Sequence, residues 1–171
     1  MTQKIMLGVL SDTHLVKTST AISLSQALLR GPFREVAALF HAGDIIDDAL
    51  DGCFGDIPFY PVRGNMDTSN SHRPFKRLVT IERWRIGLIH GWGRPHEVVE
   101  NVLQEFANEN LDVLIFGHSH TPCVSRVGKT LLFNPGSATD HRGRARLCSV
   151  GLLELGDDIS ALHIYLPGAS V

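Results

Sequence analysis

Five short polar clusters stand where apolar, strand-like runs end: Asp12-Thr13-His14, Gly43-Asp44, Gly64-Asn65, His90-Gly91 and Gly117-His118-Ser119-His120. They supply two Asp, one Asn and four His, oxygen and imidazole donors enough for two metal ions. Two divalent cations a few ångströms apart can activate water and neutralise a phosphate in one step. Asp12 and His14 are two apart, so in extended chain both side chains face the same way and can reach one ion. Asp44 carries two oxygens and can bridge two cations. Asn65 would add a neutral oxygen without further negative charge beside an anionic substrate.

Each short cluster has a plainer alternative. Asp12, Asp44 and Asn65 are ordinary turn and cap residues, and His90 could be a buried imidazole with its hydrogen bonds met. The pair His118 and His120 is more specific, because two imidazoles after a buried run and a glycine each need a partner, which metal supplies. His41 lies close enough to Asp44 to orient it from behind. His72, His96, His141 and His163 read as surface or loop-edge residues, and Trp84 and Trp92 as packing groups, Trp92 near enough to His90 to line a pocket. Asn134-Pro135-Gly136-Ser137 could aim backbone N–H groups at the site. Among Arg142, Arg144 and Arg146, a guanidinium could hold a phosphate oxygen, and Arg142 is the candidate; a solvated basic loop is the alternative.

The elements that must position these residues follow from hydrophobic patterning. Ile5 to Leu10 is a continuous apolar run, as in a strand covered on both faces. Ser19 to Leu29 has helical spacing, with Ser or Thr available as a cap and Gly31-Pro32 ending it. Val36 to Phe40 and Pro58 to Val62 predict strands, with a short helix or loop over Asp47 to Phe54. Arg77 to Glu82 and Trp84 to Ile89 read as paired strands. Pro95 to Asn110 is the clearest helix, with Val98, Val102 and Phe106 on one face and Pro95 suited to its first turn. Asp112 to Phe116, Pro122 to Val127, Thr130 to Asn134, Leu147 to Glu154 and Ile159 to Tyr165 complete a strand-rich second half, the last two joined by the hairpin signal Gly156-Asp157-Asp158. The pattern is β-α-β units first and strands later, with ligands expected at the carboxyl ends of parallel strands.

A chain of 171 residues reads as one domain, residues 1–171, with a substantial core. A net charge of −2 gives no broad basic surface for nucleic acid and no polybasic membrane signal. Cys53, Cys123 and Cys148 are odd in number and widely spaced, which argues against a disulfide framework or zinc knuckle and for a reducing cytoplasm. No run approaches the roughly 18 apolar residues of a membrane span, and Asp12 stops the first apolar stretch too early for a signal peptide.

The ordered set Asp-x-His, Gly-Asp, Gly-Asn-x-Asp, His-Gly and Gly-His-x-His resembles the calcineurin-like metallophosphoesterase superfamily, and the small size and Asn134-Pro135-Gly136-Ser137 resemble its compact YfcE-like phosphodiesterase branch. The resemblance covers Ile5 to about Leu153. It implies an α/β fold, a four-layer α/β/β/α sandwich of two facing mixed sheets. It implies one metal held by Asp12, His14, Asp44 and His120, and a second by Asp44, Asn65, His90 and His118, with Asp44 bridging. Asn65, Asp67 and His90 fall in the catalytic set, and Asn65 with Arg142 in the substrate-binding set. One position departs: where the superfamily usually has His after the Asn, and the compact branch commonly Cys, this chain has Met66, which cannot donate a proton. Asp67 matches the Asp that supports that residue.

The implied activity is hydrolysis of a small phosphoester, most naturally a phosphodiester, by a water bridging two divalent ions. The donor set suits manganese first, and iron, nickel or zinc, better than calcium. The competing expectation is a non-catalytic scaffold on the same fold, as in a retromer subunit of this superfamily; the complete ligand set disfavours it. The resemblance also allows a homodimer or tetramer.

Overall fold

The computed structural model describes residues 4–139 and 147–166. Two five-stranded mixed sheets face one another. The first is built from β1 (Ile5–Leu10), β2 (Ala38–His41), β3 (Phe59–Pro61), β9 (Ser149–Leu155) and β10 (Ile159–Tyr165), in the order β10-β9-β1-β2-β3. The second contains β4 (Lys76–Ile81), β5 (Trp84–Ile89), β6 (Val113–Ile115), β7 (Cys123–Val127) and β8 (Thr130–Asn134), in the order β4-β5-β6-β8-β7. In the first sheet β1, β2 and β3 run parallel to one another while β9 and β10 pair antiparallel; in the second the pairings of β6 with β5 and β8 are parallel and the two outer ones antiparallel. Helix α1 (Thr18–Arg30) covers the outer face of the first sheet and α2 (Val98–Glu105) that of the second.

Strand period decides which side chain enters which layer. Leu7 and Val9 of β1, Phe40 of β2, Ile86 and Leu88 of β5 and Phe133 of β8 point between the sheets. Their neighbours Leu10, Leu39, Ile89 and Leu132 point outward beneath the helices. Three apolar layers therefore lie between four layers of structure, which is why the inner strands read as unbroken apolar runs. Each fully buried Leu, Ile or Phe in them contributes about 1.5–3 kcal/mol relative to exposure. β4, β7 and β10 alternate or lie exposed because they are edge strands.

Three expectations need correction. Helix α1 has Lys17 at its N-cap without a side-chain cap; Thr18 donates instead to Asp47 Oδ2 at 3.0 Å. Helix α2 is shorter than Pro95 to Asn110. Pro95 precedes it, and the chain leaves it through tightened turns (Phe106 N–H to the Leu103 carbonyl, Ala107 N–H to Gln104). That tightening lets both Phe106 and Leu111 bury against the outer face of the second sheet. His163 is not a loop-edge residue: it lies on β10, stacked on Phe133 at 4.9 Å, with its Nε2 2.7 Å from the Asn134 carbonyl.

Candidate metal centre

All five polar clusters follow the carboxyl ends of strands that run parallel to a neighbour: β1, β2 and β3 in one sheet, β5 and β6 in the other. Because the sheets face one another, those ends meet at one rim. The loops after β1 and β2 zip together beyond the strands, with Asp12 N–H on the Gly43 carbonyl, His14 N–H on Asp44 and Leu15 N–H on Ile45, each at 3.0–3.1 Å. The loops after β5 and β6 are joined at the same level by Gly117 N–H on the His90 carbonyl, and the two sheets by His118 N–H on Asp12 Oδ2. Two glycines explain how the chains come so close. A Cβ on Gly64 would overlap the Asp44 carboxylate, and one on Gly117 would overlap the Ser11 hydroxyl.

The seven candidate ligands converge. Asp12 Oδ1 lies 3.2 Å from His120 Nε2 and 4.0 Å from both His14 Nε2 and His90 Nε2. Asp44 Oδ2 lies 3.4 Å from His90 Nε2 and 3.8 Å from His14 Nε2, so it sits between the two halves of the cage. Asn65 Oδ1 is 3.0 Å from both His90 Nε2 and His118 Nδ1. His14 Nε2 and His120 Nε2 are 3.2 Å apart.

In each carboxylate one oxygen is anchored and the other is aimed inward. Asp12 Oδ2 accepts from the Ser11 hydroxyl at 2.5 Å and from His118 N–H at 3.0 Å. Asp12 Oδ1, fully buried, has no hydrogen-bond partner. Asp44 Oδ1 accepts from Met66 N–H at 2.7 Å, leaving Oδ2 to the cage. The imidazoles are oriented in the same manner. His90 Nδ1–H donates to the Ala42 carbonyl at 2.6 Å, and His118 Nε2–H to the Gly93 carbonyl at 2.9 Å. A carbonyl only accepts, so these contacts fix the proton and turn the other nitrogen, as a lone pair, toward the centre. His90 Nε2, His118 Nδ1 and Asn65 Oδ1 then meet as three acceptors within 3.0–3.3 Å. Convergent acceptors around an orphaned buried carboxylate oxygen fit divalent cations, and the lack of thiolate fits Mn or a late first-row metal.

Charge follows the same logic. Burial opposes ionisation of Asp44, yet His90, when its Nε2 is protonated, donates a hydrogen bond and adds a positive charge that hold the carboxyl below the ordinary carboxylate range. Burial likewise opposes charge on His90, but Asp44 and Asp12 raise its basicity above that of a free imidazole. The cage is therefore a negative potential well that favours positive charge.

The backbone is strained where the ligands stand. Among the described residues seven non-glycine positions have positive φ, and five of them are Asp12, His14, Asp44, His118 and His120. Such strain persists only where surroundings over-determine it, and it clusters at functional sites.

Asp67 is buried, and its two oxygens take four backbone donors: Asp44 N–H and Gly64 N–H on Oδ2, Ile45 N–H and Ile46 N–H on Oδ1, at 2.7–3.1 Å. It thus holds the loop that carries Asp44. Arg73, which the sequence did not single out, is 3% exposed and places its guanidinium 3.9 Å from Asp67 and 2.8–2.9 Å from Asp48 and Asp51. No sequence signal pointed to it, because Asp48 and Asp51 of the 3-10 turn (Asp48–Gly52) reach it only through the fold. His41 sits behind the ligands as expected: Gly43 N–H donates to Nδ1 at 3.2 Å, and Nε2 lies 3.1 Å from Thr13 Oγ1. Burial pushes its pKa down to about 3, so it is neutral.

Two expectations change here. The Asn134-Ser137 segment braces the ligand loops rather than presenting N–H groups to them: Asn134 Nδ2 donates to the Gly117 carbonyl at 2.8 Å and Ser137 Oγ to the Asp12 carbonyl at 2.7 Å. Trp92 is exposed rather than packed away. Arg142, Arg144, Arg146 and His141 lie outside the described residues.

The profile of the calcineurin-like phosphoesterase superfamily domain matches residues 5–158. The chain belongs to that superfamily. It is 36% identical over 139 residues to a probable metallophosphoesterase of Methanothermobacter thermautotrophicus, covering 80% of this chain and 79% of that one. It is 32% identical over 106 residues to the Escherichia coli phosphodiesterase YfcE, about half of each chain (54% and 50%). Among solved structures, a conserved Streptococcus pneumoniae protein described as a predicted phosphoesterase superposes with a TM-score of 0.75 at 24% identity, over 98% of this chain and 96% of that one. Vacuolar protein sorting 29 of Cryptosporidium parvum superposes at 0.71 with 19% identity, over 95% and 98%. These two show the fold, the four-layer sandwich expected for the superfamily. No helix among the described residues is long and apolar enough to cross a membrane.

Proposed function

We propose that the chain is a metal-dependent phosphodiesterase with a dinuclear centre held by Asp12, His14, Asp44, Asn65, His90, His118 and His120, with Asp44 as the bridging ligand. The observation that carries this reading is the orphaned, fully buried Asp12 Oδ1 facing imidazole nitrogens from both sheets. When bound, two divalent cations supply an acidified water as nucleophile and neutralise charge on the non-bridging phosphate oxygens.

The chain's own residues do the rest. Asp12 and Asp44 each commit one oxygen to the scaffold and one to the cage, so the donors are pre-organised. Asn65 holds its amide oxygen between two imidazoles and, on this reading, turns its N–H toward a phosphate oxygen. Asp67 acts as a positioning residue for Asp44. Met66 can neither donate nor accept a proton at the leaving group, so no general acid is assigned. Three cysteines, odd in number and widely spaced, suit a reducing compartment such as the cytoplasm.

The experiment is hydrolysis of bis-p-nitrophenyl phosphate with added Mn²⁺ by wild type and Asp44→Asn. Loss of the bridging carboxylate should reduce turnover by roughly 100-fold or more, in line with what even outer-sphere substitutions cost metal sites. Equal rates for the two proteins would exclude the dinuclear mechanism, and no turnover by wild type would favour a scaffold role.

A further inference from the structure

Eleven large apolar side chains are exposed among the described residues. Several lie on edge strands, where exposure is ordinary. Among the six others, Met66 (56% exposed), Phe75 (45%) and Trp92 (39%) sit on the loops that carry Asn65 and His90. Met66 directly follows Asn65, and its N–H is bound to Asp44 Oδ1. Trp92 is two residues beyond His90. Its backbone is fixed, the Trp92 carbonyl accepting from Asn101 Nδ2 at 2.9 Å while the next carbonyl, of Gly93, accepts from the His118 ring.

Phe75 and Trp92 form a ring pair with centroids 5.8 Å apart at 37°. Among the described residues it is the one aromatic pair in which both rings are exposed. Burying such side chains is favourable, and an exposed pair of rings beside a polar cage offers π-faces to a third ring. We propose that Phe75 and Trp92, flanked by Met66, form a stacking shelf that selects phosphoesters bearing a planar aromatic group, an aryl ring or a nucleobase. The inference rests on the phosphoesterase reading and names the substrate class of that same site. The phosphate would lie on the cage and the ring on the shelf, and stacking tolerates any flat ring because each presents a π-face.

The test compares phenylphosphonate with methylphosphonate, which share an anionic head and differ in the ring. In the Mn²⁺-loaded wild type, inhibition constants are measured against hydrolysis of an activated diester, and tryptophan fluorescence is followed in the same titrations. Stacking should make phenylphosphonate roughly tenfold or more the tighter inhibitor and quench fluorescence that Trp92→Ala abolishes. Trp92→Ala and Phe75→Ala should bring the two constants together while leaving that of methylphosphonate unchanged. Trp92→Phe, which keeps a ring, should retain most of the preference. Equal constants in wild type, or a preference that survives in both alanine variants, would overturn the shelf while the hydrolase stands. If wild type hydrolyses nothing, the phosphoesterase reading fails, and the fluorescence titration alone decides the shelf: ring-dependent quenching upholds it and its absence overturns it.

Discussion

Replacing Asp67 by Asn keeps the shape of the side chain and exchanges one acceptor oxygen for an NH₂ group. Each oxygen of Asp67 takes two backbone N–H groups, so whichever way the amide settles, one buried and one half-buried donor lose their acceptor and face another donor. An unsatisfied buried donor costs about 1–3 kcal/mol, which gives about 2–6 kcal/mol for the pair. Against a typical total of about 5–15 kcal/mol that is a large fraction of the stability. With about 2–4 °C of Tm per kcal/mol for a domain of this size, a mid-range loss of about 4 kcal/mol lowers Tm by roughly 8–16 °C. The damage is local as well: the released segment carries Asp44, so Mn²⁺ affinity should fall by roughly 10–100-fold. Thermal unfolding in chelator gives the first quantity and metal titration of the folded variant at low temperature the second. A Tm shift below about 2 °C, or an unaltered metal affinity, would refute the claim that Asp67 clamps the ligand loop.

Two further outcomes follow from neighbouring residues. His41 is held neutral by burial, with a folded pKa of about 3 against an ordinary 6.5. Between those values the unfolded chain binds a proton that the folded chain refuses, so His41 makes stability fall as pH drops from about 6.5 toward 3. The slope is at most about 1.4 kcal/mol per pH unit, with no contribution to the slope above that window. Urea unfolding in chelator across this range should show a shallower slope for His41→Asn than for wild type; parallel curves would contradict the assignment. Met66 cannot donate a proton to the departing oxygen, so rates across a series of diesters should fall steeply as leaving-group pKa rises, and a flat dependence would count against this. Met66→His should flatten the slope.

Much of the site was legible in the sequence because strand ends and glycines mark where side chains must leave the sheet. Asp12, His14, Asp44, Asn65, His90, His118 and His120 each follow an apolar run, and each of those runs became a strand with a parallel neighbour. Spacing could not reveal which oxygen of Asp12 faces inward, since that depends on Ser11 and on a backbone N–H from the other sheet. Arg73 was missed for a related reason: a single Arg in a loop carries no period, and its burial follows from three carboxylates gathered by tertiary folding. The end of α2 was overdrawn because the apolar spacing continues through Phe106 while the backbone has already tightened into turns.

Left-handed backbone at Asp12, His14, Asp44, His118 and His120 ties what these positions bind to how the chain bends. Asp, Asn and His tolerate that region several-fold better than most side chains, and glycine adopts it freely. A descendant that abandoned cation binding could not simply fill these places with valine or isoleucine. It would have to settle for glycine or another short polar residue, so the outline of the vanished centre would persist in its sequence long after the chemistry had gone.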